Sequence, residues 1–355
     1  MSTSSSNSIF SLETMALFPK NYFLENLAVR SDGSILVSAM NVGELWYIPH
    51  PASKLPVTPV LVDKIANLPM GIVEIEPDIF YITTLAEPTL ERFDMRGWTS
   101  GMPVKRERVL TLLAPAMRLN GACLIGPNVV AIADCAAGLI WRIDFSDHGK
   151  SARASIWLRH DNMEPGKNFQ TVATTPKVTI NFPGVNGVRF AAETNYLYYT
   201  SSAQDLFCRV AVDPSTHEAV GSPEVIATGF RAADDFCLDE DAGVAYVSTH
   251  ITNTIQKVSL TPSSSSSRTI VAGDPFNDQL IGPSSLVWAS RTTEHGRAAY
   301  VTTDGGFLAP PADGFARPAA LLRLTIKEGA LIGWAMATPR SSRLCSLRSD
   351  RCVQP

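Results

Sequence analysis

Six places in the chain set polar or small residues at the head of a β-rich run. They are Glu25-Asn26, Gly71 with Glu74, Asn120-Gly121, Asn186-Gly187, Asp234-Asp235 and Ser284-Ser285. Asn, Asp and Gly are depleted from strands, so their recurrence at strand starts needs a reason beyond propensity. Any one pair could form a turn. The same register repeated along the chain points to a shared polar pocket toward which several strands converge. Carboxyls crowded and buried in such a pocket can carry protons, and amides can donate hydrogen bonds to developing charge. A neighbouring Gly lets the backbone approach a ligand closely. His250 follows the run "YVST" at a channel-facing turn, whereas His50, His148, His217 and His295 sit in surface-like polar stretches.

The elements that must hold these residues follow from an internal repeat. Six segments share a β-rich run, a short polar or small-residue break and a second β-rich run. They start at Gly33, Asp78, Asn128, Asn195, Gly243 and Arg297, roughly the 40–50-residue spacing of propeller blades with some longer insertions. Each copy supplies two middle strands, and the apolar run before it ("ENLAVR", "NGVRF", "DDFCLDED" among them) supplies an innermost one. The expected fold is all-β: a six-bladed β-propeller with four-stranded antiparallel blades around a central channel. A single long sandwich is the alternative, but it leaves the repeat unexplained. One domain spans residues 1–355, and residues 1–20 form a flexible start plus a strand that closes the ring on "ALLRLTI". Residues 159–184, with His160 among them, exceed what a blade linker needs and read as a lid over one mouth. "PSSSSSR" reads as a solvent loop and residues 335–355 as a basic tail.

Composition narrows the partners. Hydrophobic residues make up 45% of the 355, enough for a sizeable core. A formal charge of −4 gives no electrostatic case for nucleic acid or an anionic membrane. No apolar run approaches the ~20 residues that span a bilayer. The N-terminus lacks the basic start and apolar core of a secretory signal, so the expected compartment is cytoplasmic. Six cysteines are sparse for a disulfide framework and read as buried thiols, with Cys345 and Cys352 close enough in sequence to pair if oxidised. The chain carries no Gly-x-Ser-x-Gly elbow, His-Glu-x-x-His, phosphate-binding Gly-rich loop or Cys-x-x-Cys pair.

"NGVRF…YLYYTSS" and "ADDFCLDEDAGVAYVST" resemble the senescence marker protein/gluconolactonase superfamily, six-bladed propellers that also include strictosidine synthase-like proteins. The resemblance runs from about Phe18 to Ile326. For the metal-dependent lactonases of that group it implies a divalent ion held by Glu25, Asn186 and Asp234, with Arg118 and Asn120 matching a substrate-contacting Arg-x-Asn. Three oxygen ligands suit Ca²⁺ or Mg²⁺. Two departures stand out. Asn-Leu rather than Gly-Pro follows Glu25, and Asp235 replaces the Gly after Asp234. The adjacent carboxylates could strengthen a metal site or serve as an acid/base pair without metal.

A narrower resemblance, carried by "NYFLENLAVRSDGSILVS", "GIVEIEPDIFYI", "IADCAAGLIWRID" and "DDFCLDEDAGVAYVSTH", is to a fungal branch that includes the hetero-Diels–Alderases of tropolone-sesquiterpene biosynthesis. It implies dehydration of a hydroxymethyl tropolone to a quinone methide and cycloaddition onto a humulene-type alkene, without a cofactor. The partners would be apolar polyketide and terpenoid small molecules. On that reading Asp234, Asp235, Glu25 or His250 delivers the proton. Arg118, Asn120 and Asn186 donate to the tropolone oxygens, with Asn26, Ser284, Ser285 and His160 as further pocket residues. Met40, Phe80, Leu139, Phe207 and Trp288 are candidates for the apolar wall. A non-enzymatic small-molecule-binding propeller is the third reading.

Overall fold

The structure is a computed structural model and describes residues 10–50, 54–166, 168–170, 179–262, 268–274, 276, 278–290 and 295–326. Six four-stranded antiparallel sheets stand around one axis as the blades of a β-propeller, and the described residues contain almost no helix. The first blade runs β2 (Leu24–Val29), β3 (Ile35–Ala39), β4 (Glu44–Ile48) and β5 (Val60–Lys64). The second has β6 (Pro69–Glu76), β7 (Ile79–Thr84), β8 (Thr89–Asp94) and β9 (Lys105–Thr111), and the third β10 (Leu119–Gly126), β11 (Val129–Asp134), β12 (Leu139–Ser146) and β13 (Ser151–Arg159). A small hairpin, β14 (Asn168–Gln170) with β15 (Thr179–Asn181), follows. The fourth blade has β16 (Val185–Ala191), β17 (Tyr196–Ser201), β18 (Leu206–Val212) and β19 (Ala219–Thr228). The fifth has β20 (Ala233–Asp239), β21 (Val244–Thr249), β22 (Thr254–Ser259) and β23 (Thr269–Gly273). The sixth joins β24 (Pro283–Trp288), β25 (Ala298–Thr303) and β26 (Pro318–Ile326) to β1 (Phe10–Lys20), so the first strand closes the ring as the repeat predicts.

The apolar core is divided into six clusters, each wedged between neighbouring blades. Phe207 of one blade meets Phe236 of the next edge to face at 5.0 Å. Truncating such a ring to Ala costs about 3–5 kcal/mol. The outermost strands are different. β9 reads Lys-Arg-Glu-Arg at its start and is largely exposed, which blunts a sheet edge against stray pairing.

Two repeated devices shape the channel end of every blade. First, the pairing of the innermost strand with its neighbour skips at the same place in all six blades, over Glu25, Met70-Gly71, Asn120-Gly121, Asn186-Gly187, Asp234-Asp235 and Ser284-Ser285. These are bulges, which explains residues that strands otherwise avoid. The role expected for the glycines needs correcting. A Cβ on Gly71 would lie 2.6 Å from the Asn120 carbonyl, one on Gly121 2.8 Å from that of Asn186, and one on Gly187 2.8 Å from Asp235 Cα. Gly admits the next blade, not a ligand, because six inner strands crowd together at the axis. Glu74 lies away from this end and accepts from the Asp78 amide at 2.9 Å.

Second, the penultimate residue of the second strand carries a hydroxyl that reaches an inner-strand carbonyl of the next blade. Ser38 donates to Met70 O at 2.7 Å, Thr83 to Asn120 O at 2.7 Å, Thr200 to Asp234 O at 2.5 Å and Ser248 to Ser284 O at 2.9 Å, and Thr302 reaches Glu25 O at 3.4 Å. In the third blade that position is Ala133.

Among the described residues no helix is long and apolar enough to cross a membrane. Cys123, Cys135, Cys208 and Cys237 are buried free thiols. Cys345, Cys352 and the basic tail at 335–355 lie outside the described residues.

Candidate active site

Five of the six bulges aim their first residue toward one mouth of the channel. Glu25, Met70, Asn120, Asn186 and Asp234 line a cavity of about 130 Å³ there. A second set comes from the residue just after the second strand of each blade: Met40, Leu85, Cys135, Ser202 and His250 line the same cavity, and the sixth member, Asp304, binds His250. Arg118 and the apolar Phe23, Phe182, Pro183, Ile251 and Leu308 complete the wall.

The floor is a charged cluster out of bulk water. His250 is 5% exposed, with Nδ1 3.3 Å from an Asp234 oxygen and Nε2 2.9 Å from an Asp304 oxygen. Burial works against its charge, but the carboxylates of Asp304 and Asp234 outweigh it and push the imidazole up to about 10. Asp234 is raised, chiefly by burial, although the hydrogen bond to His250 pulls the other way. Glu25 is raised well above the carboxyl range by burial and then by the neighbouring charge of Asp234. Among the described residues no hydrogen bond or ion pair reaches the Glu25 carboxyl. It is 5% exposed and faces the cavity.

The amides are oriented. Asn186 Nδ2 donates to the Ser202 hydroxyl, while its Oδ1 is buried without a partner. Asn120 hydrogen-bonds the Cys135 thiol, which burial pushes up to about 12. The Arg118 backbone N–H is held by Asp134 at 3.0 Å, while its guanidinium makes no ion pair among the described residues.

Glu25, Arg118, Asn120, Asn186, Asp234 and His250 therefore meet as expected, while other candidates go elsewhere. Asp235, beside Asp234, turns down the axis, where its carboxylate accepts from Asn26 Nδ2 at 3.0 Å, Ser285 Oγ at 2.8 Å, the Arg189 guanidinium and its neighbour's amide at Phe236. This saturated layer, drawn from four blades, crosses the channel beneath the cavity and engages Asn26 and Ser285 away from the lining. Ser284 donates to Leu24 O at 2.5 Å and ties neighbouring inner strands. His160 caps the short 3-10 turn 161–163 through the Asn162 amide and does not line the cavity. Of the expected apolar wall, Met40 lines the cavity. Phe80, Leu139 and Phe207 sit in inter-blade cores, and the Trp288 indole donates to Leu238 O. The 159–184 insertion borders the cavity through Phe182 and Pro183, and residues 167 and 171–178 of it lie outside the described set.

Phe23, Cys135, Ser202, Asp304 and Leu308 were not anticipated. A signal existed for Asp304: "YVTTD" carries Asp where "YVSTH" carries His250, the residue after the second strand. Reading that register in all six copies finds the whole second ring.

No known family profile and no curated protein matches the chain. Among solved structures the chain is similar to a luciferin-regenerating enzyme (TM-score 0.62, 14% identity, covering 89% of this chain and 95% of that one). It is also similar to a calcium-binding protein, regucalcin, from Agrobacterium tumefaciens (TM-score 0.59, 14% identity, 89% and 93%). A third is a protein assigned provisionally as a gluconolactonase (TM-score 0.55, 13% identity, 89% and 92%). These likenesses extend over most of each chain. At these identities the likeness establishes the fold, and the chemistry has to be argued from the residues.

Proposed function

We propose that the protein is a metal-independent enzyme that uses Glu25 as a general acid on an oxygenated, otherwise apolar small molecule, expelling water and directing ring closure of the product. The observation that carries this reading is the Glu25 carboxyl: buried, facing the cavity, free of hydrogen-bond partners and held well above its ordinary value of 4.5. A carboxyl kept protonated by burial is what a departing hydroxyl needs. A cavity of about 130 Å³ is close to the ~150 Å³ that admits one benzene ring. It suits the ring-sized head of a substrate whose apolar body lies along Phe23, Phe182 and Leu308.

In its specific form the reaction is the hetero-Diels–Alder cycloaddition of a tropolone-derived quinone methide with a humulene-type alkene, as the short sequence resemblances imply. Glu25 passes its proton to the leaving hydroxyl, the C–O bond breaks and water departs. Asp234, braced by His250, takes the proton of the ring hydroxyl and returns it to Glu25. Arg118 and Asn120 donate to the ring oxygens as charge develops. The apolar wall keeps water from the electrophile and holds both partners in reacting geometry, an effect worth roughly 7–11 kcal/mol at best. The test is to incubate purified protein with a hydroxymethyl tropolone and a humulene-type alkene and look for one stereoisomer of the adduct. The expected result is adduct that the Glu25→Gln variant fails to make. A racemic product at the uncatalysed rate overturns the reading.

A second reading is a divalent-metal lactonase. Asn186 Oδ1 is buried without a partner and, among the described residues, no hydrogen bond reaches the Glu25 carboxyl, so with Asp234 they offer three oxygens to Ca²⁺ or Mg²⁺. A bound ion would polarise a lactone carbonyl. Among the described residues no three His, Cys, Asp or Glu side chains group as a cation site, and Asp234 is already engaged by His250. Calorimetric Ca²⁺ or Mg²⁺ binding with chelator-sensitive lactone hydrolysis would favour it over the first.

A further inference from the structure

Asp304, the residue after β25, is fully buried and does not line the cavity. Its two oxygens nevertheless gather three donors. Oδ1 accepts from the Gly306 amide at 2.6 Å, and Oδ2 accepts from the Leu308 amide at 3.0 Å and from His250 Nε2 at 2.9 Å. The backbone is built around this carboxylate. Gly282, at φ +62, leaves room where a Cβ would fall 1.8 Å from Asp304 Oδ1. Two of the three partners matter at the site: His250 turns its other nitrogen to Asp234, and Leu308 forms part of the cavity wall.

We propose that Asp304 is a positioning residue whose single carboxylate fixes the imidazole of His250 and the wall at Leu308 in one geometry. A carboxylate only accepts, so a 2.9 Å contact requires the proton on Nε2. That contact also fixes which edge of the ring meets Asp234, since a flipped imidazole would present a carbon to each carboxylate. Phe23, edge-on to the ring at 5.2 Å, packs against it but cannot choose between the two flips. The amides of Gly306 and Leu308 are held by the same group, so ring and wall move together or not at all. The proposal rests on reading His250 as part of the proton machinery, but its test needs no turnover and so separates its failure from the failure of that reading.

The test is nitrogen NMR of the histidine rings at neutral pH, with the His250 signal assigned by its disappearance in His250→Gln, together with amide hydrogen exchange. In the wild-type protein His250 Nε2 is expected to carry a proton. In Asp304→Ala the ring resonances should move, and the Gly306 and Leu308 amides should exchange at least ~10-fold faster while the blades keep their protection. Should Asp304→Ala fail to fold, Asp304→Asn keeps one acceptor oxygen. It should retain Gly306 protection while the His250 resonances shift. An unprotonated Nε2 in the wild-type protein overturns the proposal without any variant. Unchanged His250 resonances in a folded Asp304 variant overturn it equally.

Discussion

Asn186 Nδ2 lies 3.0 Å from the Ser202 hydroxyl, and that hydroxyl spends its own proton on the Ala233 carbonyl at 2.5 Å. The orientation of the amide is therefore dictated from behind, by backbone. In Asn186→Asp the new oxygen facing Ser202 would find no donor, and a carboxylate would be added beside Asp234. A folded protein is expected, with turnover lowered ~10-fold or more, because the Asp234 carboxylate loses the hydrogen bond of the Asn186 amide and is raised further by the new charge. Its melting temperature should also fall, because the new charge is buried. Wild-type rate and melting temperature together would return Asn186 to ordinary bulge chemistry.

Glu25 stabilises the fold only while it is neutral. Its folded pKa lies above its ordinary 4.5, so its contribution is complete below that value and is lost as pH rises through the folded pKa. Glu25→Gln imitates the neutral form. The variant should melt a few degrees higher than wild type above neutrality, match it near pH 4 and lack activity. Calorimetry across pH checks the crossover, and a variant that melts lower at every pH contradicts it.

His250 titrates with the same sign. Its folded pKa of about 10 exceeds the ordinary 6.5, so the stability it adds is fully present below 6.5 and disappears as pH rises through about 10. His250→Gln should be less stable than wild type at pH 6 and lose that deficit toward pH 11. The readout is the difference in melting temperature between the two proteins. A constant difference would place the charge elsewhere.

Ala133 is the gap in the hydroxyl ring. In Ala133→Ser the new hydroxyl should reach the Asn186 carbonyl as Thr83 reaches that of Asn120. A typical hydrogen bond adds about 0.5–1.5 kcal/mol, so urea denaturation should shift to a higher midpoint with an unchanged slope. A lower midpoint would mean that the interior at Ala133 cannot take the extra atom.

The blades and their closure were legible in sequence because both depend on local alternation and spacing. "FSLETMALF" and "ALLRLTI" are ordinary strands wherever they pair. The polar floor was half legible. A bulge residue announces itself as Asn, Asp or Glu where a β-branched residue belongs, which is how Glu25, Asn120, Asn186 and Asp234 could be found. What neighbouring bulge residues do was not legible. Asp234 and Asp235 are adjacent in sequence, yet one meets the cavity and the other the buried layer below it. Arg189 completes that layer from another blade, which no local pattern predicts. Asp304 was hidden for a further reason. Its importance comes from His250, 54 residues earlier in the chain, and exists only once the fifth and sixth blades have packed together.

Closure by β1 on β26 has a mechanical consequence. Phe10 lies opposite Ile326, and the pairing runs inward to Lys20 opposite Pro318. Tension applied at Phe10 and Ile326 therefore loads the outermost rung first. Hydrogen bonds of an antiparallel pair stand perpendicular to the strands, so the rungs would open one after another, as in a zipper, and not resist together in shear. The clasp that completes the sixth blade is the weakest seam of the ring under such a pull. Its release would free the far side of β26 while leaving its pairing with β25, and so the neighbourhood of Asp304, still in place.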